Sequence, residues 1–480
     1  MSQSQVLQTS PDITYTEQIG NHSSPLYVKL NPINNVQSFN PSLTSVYGPV
    51  EILIPSKCIN LSKSKISWDL TVPSQGGSNF AWLQANALCQ LDRITLTSQN
   101  TNQVLADIPN LNRFASMLSP VMTTQEQLQN KASPFTSGLG ANTVVPTMVS
   151  SLATAQLTPV EDVSRSNAGA NPDGNAIDYG TPFGNSIRKM FVSTATATAN
   201  YISFEFDLSS IQASIFDINK LLYFSGEQLL LSLYFAPVNR YASLSLSATD
   251  PTSTSGAAIG TWVVSNLAAY LYTEQNLDVS TALVEKVMRG GGLKVPFPYP
   301  FIQRQSVSSG SWAITQQLTR GFGSKLLFAA FSVFNPTEVN RTAQDHSIQT
   351  LIAAAGGSYT ALSYNTLLDN IPILTNNNIG IIGGGSTQGE QWLYNKAHLT
   401  GSAINSIINY NVDFCHIDSF VSDPLCKFDF TTIDGLDLDA MHQYSIAAYG
   451  TSGASVTNNV YVIFVCQKTL NFTPSGVQIS

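Results

Sequence analysis

Alternation of apolar and polar residues with a period of two is the main pattern along this 480-residue chain. In residues 66–72, ISWDLTV, every second side chain is apolar and the side chains between them are polar. The same alternation recurs in three further segments, 202–208, 410–414 and 426–430. Successive side chains of a strand point to opposite faces, so these segments predict strands with one buried and one polar face. Nearly continuous apolar runs predict strands that face a core on both sides at 229–235, 326–334 and 460–466.

Helical signals are few and short. Leu111, Phe114 and Leu118 recur at helical spacing, and residues 123–126, TTQE, have the pattern of a capping box. A second helical repeat, at 279–288, stops at three consecutive glycines, a common end signal. Strands and helices do not alternate along the chain. The pattern therefore predicts an all-β protein built of antiparallel sandwiches, with short helical decorations and long loops.

Two segments have the composition of loops. Residues 132–190 are rich in Ser, Thr, Ala, Gly, Asn and Pro, which predicts a long excursion from the first half of the chain. A second such segment predicts a connection between two halves, although the halves share no residue-level repeat. The expected division is an N-terminal arm at 1–28, a first sandwich at 29–240, a linker at 241–260 and a second sandwich at 261–480.

Charge is scarce and unevenly distributed. Charged residues make up 11% of the chain, against about 25% in an average protein. Such depletion suits an exterior that is covered by copies of the same protein, because charge is depleted in interface cores. The net charge is −8, and residues 1–28 carry only Asp12 and Glu17 as charged side chains, so a basic arm that neutralises nucleic acid is absent. We expect the arm to contact neighbouring subunits or minor proteins.

Membrane and export signals are also absent from the sequence. The first residues have neither a positive segment nor an apolar core, so we expect no signal peptide. The apolar runs are far shorter than the roughly 20 residues that span a bilayer, so we expect no transmembrane segment. Five scattered cysteines predict reduced core thiols and folding inside a host cell: Cys58, Cys89, Cys415, Cys426 and Cys466. Four glycosylation sequons, at Asn21, Asn60, Asn340 and Asn471, are therefore expected to be unused.

The common sequence motifs for catalysis and metal binding do not occur in this chain. The chain has no C-x-x-C, H-E-x-x-H or G-x-S-x-G, and Cys415 and His416 are neighbours that a strand would point to opposite faces. The other histidines, at positions 22, 346, 398 and 442, are isolated. The acidic stretch 434–439, DGLDLD, lacks the calcium-loop spacing and is interpreted as a turn that enters a strand. We therefore predict no catalytic, cofactor-binding or metal-binding residues and no cofactor.

A glycine-rich stretch at 378–392, NIGIIGGGSTQGEQW, has the spacing of a phosphate-binding loop between Gly380 and Gly385. Ser386 stands where that loop needs a lysine to reach the phosphates, and no strand–helix unit surrounds it. The stretch is interpreted as a hinge or tight turn that enters an inter-strand loop. On this interpretation a Gly384→Val change harms assembly and removes no nucleotide affinity.

Five segments occur in an order that resembles a known family. They are FDLSSIQASIFDINKLLYFSGEQLLLSLYFAP (206–237), YLYTEQNLDVSTALVEKVMRGGGLKVPFPYPF (270–301), FGSKLLFAAFSVFNPTEVNRTAQDHS (322–347), YNTLLDN (364–370) and YVIFVCQKTLNFTPSGVQ (461–478). Together they resemble the major capsid proteins of polinton-like viruses, virophages and related eukaryotic double-stranded DNA viruses. The resemblance extends from about residue 60 to the C-terminus and is weakest in 132–190.

The resemblance implies two tandem eight-stranded jelly-roll sandwiches, and three chains that form a pseudo-hexagonal capsomer of an icosahedral shell. It implies a location in the virion and a structural, non-enzymatic role. The implied partners are other copies of the chain together with penton and minor capsid proteins, without sequence-specific binding of nucleic acid. Long loops such as 132–190 form outward towers in such capsomers.

Two other functions are compatible with a β-sandwich chain. A glycan-binding adhesin or receptor-binding protein predicts a discrete aromatic or Ca²⁺ site. A β-sandwich glycoside hydrolase or lyase predicts carboxylates that converge in a cleft. The aromatic residues, 10% of the chain, follow the strand period and fit a core better than a stacking platform.

Overall fold

The computed structural model describes the greater part of the chain. The described residues are 25–34, 36–73, 80–84, 87–122, 146–147, 156–157, 189–193, 200–245, 254–257, 259–289, 292–318, 325–334, 359–372, 378–382, 416–420, 435–438, 443–453 and 458–480. In chain order the strands of the first half are β1 Pro25–Leu30, β2 Tyr47–Ile54, β3 Cys58–Val72, β4 Phe80–Gln84, β5 Leu91–Ser98, β6 Val104–Pro109, β7 Pro146–Thr147, β8 Gln156–Leu157, β9 Lys189–Ser193, β10 Asn200–Asp207, β11 Leu222–Tyr223, β12 Leu229–Phe235, β13 Ala242–Ser245, β14 Thr254–Ala257 and β15 Val263–Glu274.

The second half follows a short α-helix and contains eleven described strands. The strands are β16 Leu293–Val307, β17 Gly310–Leu318, β18 Lys325–Phe334, β19 Tyr359–Leu368, β20 Ile371–Pro372, β21 Ile379–Ile382, β22 His416–Ser419, β23 Leu436–Asp437, β24 Tyr444–Ser452, β25 Asn458–Thr473 and β26 Gly476–Ile479. The described α-helices are α1 Leu111–Met122 and α2 Leu277–Met288, which confirms both predicted helical repeats. Asn276 caps α2, because its side chain accepts hydrogen bonds from the backbone N–H groups of Asp278 and Val279.

The strands of the first half form an antiparallel sandwich of two sheets. Sheet I has the order β1-β15-β3-β10, and sheet II has the order β2-β12-β5-β6. The eight strands of these two sheets, in chain order, are β1, β2, β3, β5, β6, β10, β12 and β15. The first of them pairs with the eighth, the second with the seventh, the third with the sixth and the fourth with the fifth. The chain is therefore wound as a long antiparallel ribbon that folds back on itself.

The second half repeats this winding. Sheet III has the order β16-β25-β18-β22, and sheet IV has the order β17-β24-β19-β20, with β21 also paired to β19. The corresponding eight strands, in chain order, are β16, β17, β18, β19, β20, β22, β24 and β25. Again the first pairs with the eighth, the second with the seventh, the third with the sixth and the fourth with the fifth. The prediction of two tandem eight-stranded antiparallel sandwiches is confirmed.

The first sandwich confirms the period-two prediction at 66–72. Ile66, Trp68, Leu70 and Val72 are buried, while the residues between them are half-buried on the opposite face. The Trp68 indole lies among the rings of three phenylalanines, and its Nε1 donates a hydrogen bond to Gln90 Oε1 at 3.0 Å. This hydrogen bond satisfies the one polar atom of the side chain, which is required for burial in an apolar core.

Sheet III lies between two apolar layers. On β25, Val462 and Phe464 belong to the core shared with sheet IV, and the alternate residues Ile463 and Val465 belong to the core of the first sandwich. The neighbouring strand β18 divides its side chains in the same way. The predicted two-sided burial of 326–334 and 460–466 is therefore confirmed. Residues 229–235 differ, because Leu230 and Tyr234 are only half-buried on the outer side of sheet II.

The predicted domain boundaries are wrong in two places. Val263–Glu274, assigned to the second half, pairs with β1 and β3 inside sheet I, so the first sandwich extends from β1 to β15. The connection between the halves is α2, not residues 241–260. At the other end, β1 begins at Pro25, so the predicted arm at 1–28 overlaps the first strand. The boundary between the two halves was wrong because β15 pairs with a strand some 200 residues earlier, and no local sequence pattern indicates such a partner.

The segment predicted as a linker contributes to a separate small sheet instead. This sheet V has the order β14-β13-β4-β9 and joins three connections at one end of the first sandwich. Its strand β9 begins at Lys189 and overlaps the end of the predicted excursion 132–190, most of which lies outside the described residues. The predicted strands at 410–414 and 426–430 and the capping box at 123–126 also lie outside them.

The Trp68 environment gives a test of the fold. We expect Trp68→Asp to abolish soluble, folded protein, because an unpaired carboxylate in this core costs several kcal/mol out of a total stability of about 5–15 kcal/mol. Thr71→Asp, on the outer face of the same strand, is the matched control and stays folded. Soluble expression and the circular-dichroism melting curve distinguish the two; a cooperative melt for Trp68→Asp contradicts the assignment.

Candidate functional site

Reactive chemistry is sparse among the described residues. Within that part of the chain, no three His, Cys, Asp or Glu side chains come together as a group that could hold a metal ion. The described part also contains no helix that is long and apolar enough to cross a membrane. The glycine-rich stretch is described only at its start, where Gly380 lies in β21 and pairs with Ser363 of β19. Gly383–385 and the isolated histidines lie outside the described residues.

The described cysteines are buried thiols. Cys58, Cys89 and Cys466 form no disulfide, as predicted, whereas Cys415 and Cys426 lie outside the described residues. Burial, reinforced by the nearby Glu274, raises the pKa of the Cys58 thiol to about 11. Burial raises the pKa of Cys466 to about 12. At neutral pH both groups are protonated, so neither has the thiolate that a nucleophile or a metal ligand needs.

Two carboxylates are buried in the described structure, and each has hydrogen-bonding partners. Asp418 on β22 is 4% exposed and accepts a hydrogen bond from the Tyr444 hydroxyl at 3.4 Å. Glu227 is 2% exposed and lies at the junction of the two sandwiches. The acidic stretch 434–439 enters β23, which pairs with β18, so its interpretation as a turn before a strand holds for the described residues 435–438. Asn60, one of the sequon residues, is buried and bonded to Asn219.

The two sandwiches meet at an apolar junction that contains residues from both of them. The outward face of sheet III presents Ile463 and Val465 of β25 and the aromatic ring of Phe334 of β18 to the first sandwich. Helix α1 and strand β6 of the first sandwich lie against it, and α2 contacts β25. The sequence pattern indicated this surface through the continuous apolar runs, but it did not indicate what covers it.

Arg113 places a charge inside this junction. The residue is 8% exposed, and its guanidinium lies over the Phe334 ring, with 4.6 Å between the guanidinium carbon and the ring centroid. Burial lowers the pKa of this guanidinium, and the hydroxyl of Tyr461, its hydrogen-bond partner, opposes that shift. A guanidinium stays charged in proteins, so Arg113 forms a cation–π and hydrogen-bonded contact between α1 and both β18 and β25.

A C-terminal hairpin joins the sandwiches a second time. Strand β26 pairs with the end of β25, and the Val477 backbone N–H donates to Glu227 Oε1 of the first sandwich at 2.9 Å. Glu227 Oε2 accepts a hydrogen bond from the Thr101 hydroxyl at 3.2 Å. Gly476 has φ of +133°, and a Cβ atom there would overlap Glu227 Oε1 and approach Thr101 Cγ2 to 3.0 Å. Only glycine fits this position without displacing the carboxylate.

No protein-family profile and no curated protein sequence matches this chain. Solved structures do match over nearly its whole length. The quasi-atomic model of the PBCV-1 virus capsid covers 96% of this chain and 97% of its own, with 9% identity and a TM-score of 0.50. With the strand pairing described above, this likeness establishes the architecture. The chain is a double jelly roll.

Two further solved structures also align with this chain. The 3.5 Å cryo-EM structure of the Sputnik virophage aligns over 98% of this chain and 92% of its own, with 10% identity and a TM-score of 0.48. The mavirus major capsid protein aligns over 99% of this chain and 95% of its own, with 7% identity and a TM-score of 0.46.

The hairpin that docks on Glu227 gives a second test. We expect Gly476→Ala to lower the free energy of unfolding by about 3 kcal/mol, because the new methyl group adds overlap to backbone strain and breaks the contact with Glu227. Gly310→Ala is the matched control, since Gly310 also has a positive φ of +92° but nothing lies within 4 Å of an added Cβ. We expect about 1 kcal/mol there. Urea denaturation measures both, and equal losses contradict the proposed role of the hairpin.

Proposed function

We propose that this double jelly roll is the major capsid protein of a double-stranded DNA virus and forms homotrimeric capsomers of an icosahedral shell. The observation that carries the proposal is the fixed pairing of two identically wound sandwiches by the doubly buried sheet III. Three such pairs arranged in a ring contain six jelly rolls, which gives a hexagonal outline from a threefold assembly. The near-complete alignment with the PBCV-1 virus capsid model supports this use of the fold.

The chemistry of the described residues supports a structural role. The Cys58 and Cys466 thiols are protonated at neutral pH, and the buried carboxylates and Arg113 hold secondary-structure elements together. The scarcity of charged side chains, 11% of the sequence, suits a protein whose surface is covered by its own copies. Penton and minor capsid proteins complete the shell in this proposal, and the chain resides in the virion after folding in the host cell.

The oligomeric state tests the proposal directly. We expect native mass spectrometry of the purified protein to give a species of three times the 51.7 kDa chain mass. Negative-stain microscopy of that species should show particles with a hexagonal outline. A compact monomer at micromolar concentration contradicts the proposal, and so does a stable dimer.

A further inference from the structure

Strand β16 is the longest edge strand in the described part of the structure. It has 15 residues, whereas no other described edge strand has more than nine. Sheet III has the order β16-β25-β18-β22, so one side of β16 pairs with β25 and no described strand pairs with the other side. The backbone groups along such a free edge are a template on which a strand of another molecule can pair. A long edge therefore needs a feature that prevents this pairing.

Three prolines occupy alternate positions of this strand, in residues 295–301, VPFPYPF. They are Pro296, Pro298 and Pro300. The pairing with β25 is nevertheless continuous over the whole of β16. Successive residues of a paired strand direct their N–H groups to opposite sides, and proline has no N–H group. Prolines directed at β25 would remove three donors in a row from the ladder, so their nitrogens point to the free edge.

The opposite strand gives independent evidence for this orientation. Thr469 of β25 lies opposite Pro296. The Thr469 N–H donates to the Ser480 carbonyl at 2.8 Å, and the Thr469 carbonyl accepts from the Ser480 N–H at 3.0 Å. Ser480 follows β26, which lies on the side of β25 away from β16, since Leu470 has a partner in each of these two strands. Thr469 and Pro296 therefore form a pair without mutual hydrogen bonds, whose backbone groups point away from each other.

The residues between the prolines would favour strand addition. Val295, Phe297, Tyr299 and Phe301 are aromatic or β-branched, and residues 295–301 carry no charge. Aromatic and β-branched residues favour strands. An uncharged segment of this composition without proline is typical of strands that pair between molecules and aggregate. The prolines are the residues of this segment that oppose such pairing.

The proline rings lie on the face of sheet III that meets the first sandwich. Pro300 is opposite Val465, whose side chain belongs to the core shared with the first sandwich, and opposite residues of a ladder lie on the same face. Pro298 and Pro300 are buried. The first sandwich covers this face only after the two sandwiches have met. The edge is therefore most accessible during folding, before that contact forms.

We propose that Pro296, Pro298 and Pro300 close the free edge of sheet III to strand addition by a second copy of the chain while the two sandwiches fold. An added strand would find three consecutive donors missing, and its own carbonyl groups would lose those hydrogen bonds. Leaving such groups unpaired in a sheet costs more than leaving them in water. This inference concerns the folding of the single chain and does not depend on the proposed function.

The test restores the three donors. Pro296→Thr, Pro298→Thr and Pro300→Thr are combined, because threonine favours strands and has a backbone N–H. We expect refolding by dilution from urea to give species larger than the wild-type oligomer at about 10-fold lower chain concentration. Sedimentation velocity and thioflavin T fluorescence measure this threshold, and circular dichroism reports whether the chain that stays in solution is folded.

Two controls separate edge pairing from other effects. Ile302→Ala removes packing from the same junction and adds no donor, so we expect it to keep the wild-type threshold. The other control tests the orientation of the strand. Arg304→Pro removes an N–H that points to the free edge, and we expect its melting temperature to stay within about 2 °C of the wild type. Gln305→Pro removes an N–H that points to β25, and we expect a loss of about 5 °C or more.

Each outcome decides for or against the proposal. A lower threshold in the folded triple variant, with Ile302→Ala unchanged, supports the closed edge. An unchanged threshold in the folded triple variant overturns it, and so does an equal shift in Ile302→Ala, because lost stability is then the cause. If the triple variant does not fold, Pro296→Thr alone, at a half-buried position, decides, with an expected threshold about 3-fold lower. An unchanged threshold there, or equal losses from Arg304→Pro and Gln305→Pro, overturns the proposal.

Discussion

The burial of sheet III on both of its faces is the constraint on which the rest of the molecule depends. Alternate residues of one strand, such as Ile463 and Phe464, belong to two different cores. Removing the first sandwich would expose an entire apolar sheet face to water, at roughly 25 cal/mol for each Å². The second sandwich is therefore stable in its described form only against the first, and the two halves act as one structural unit.

Apolar burial alone does not fix how two sandwiches are oriented, because the hydrophobic effect has no direction. At this junction the directional contacts come from a few polar groups. Arg113 extends from α1 onto the Phe334 ring, and Glu227 binds the backbone of the C-terminal hairpin. Each contact forms only when the two sandwiches have one particular position relative to each other. An incorrectly seated second sandwich would leave a buried cation or carboxylate without its partner, which costs far more than a lost surface contact.

Local sequence patterns predicted the individual strands and helices well. They did not predict which strands pair across long stretches of the chain. Residues 66–72 and the helix at Leu111–Met122 were predictable, since the period of their apolar side chains is a local property. Continuous apolar runs indicated the two-sided burial of β18 and β25. The membership of Val263–Glu274 in sheet I was not predictable, because its partner β3 lies about 200 residues earlier. The junction contacts of Glu227 and Gly476 had no sequence signal, since each is defined only by what lies opposite it in space.

The apolar outward face of sheet III is covered within the chain, so the contact between the two sandwiches is part of folding. The two sandwiches are tethered by the 12-residue helix α2, so their contact forms at any dilution. A contact between separate chains obeys mass action and waits for protein to accumulate. Under the proposed capsid role, folded single chains would therefore accumulate before they associate. On that proposal, assembly would begin only above a threshold concentration of folded chains.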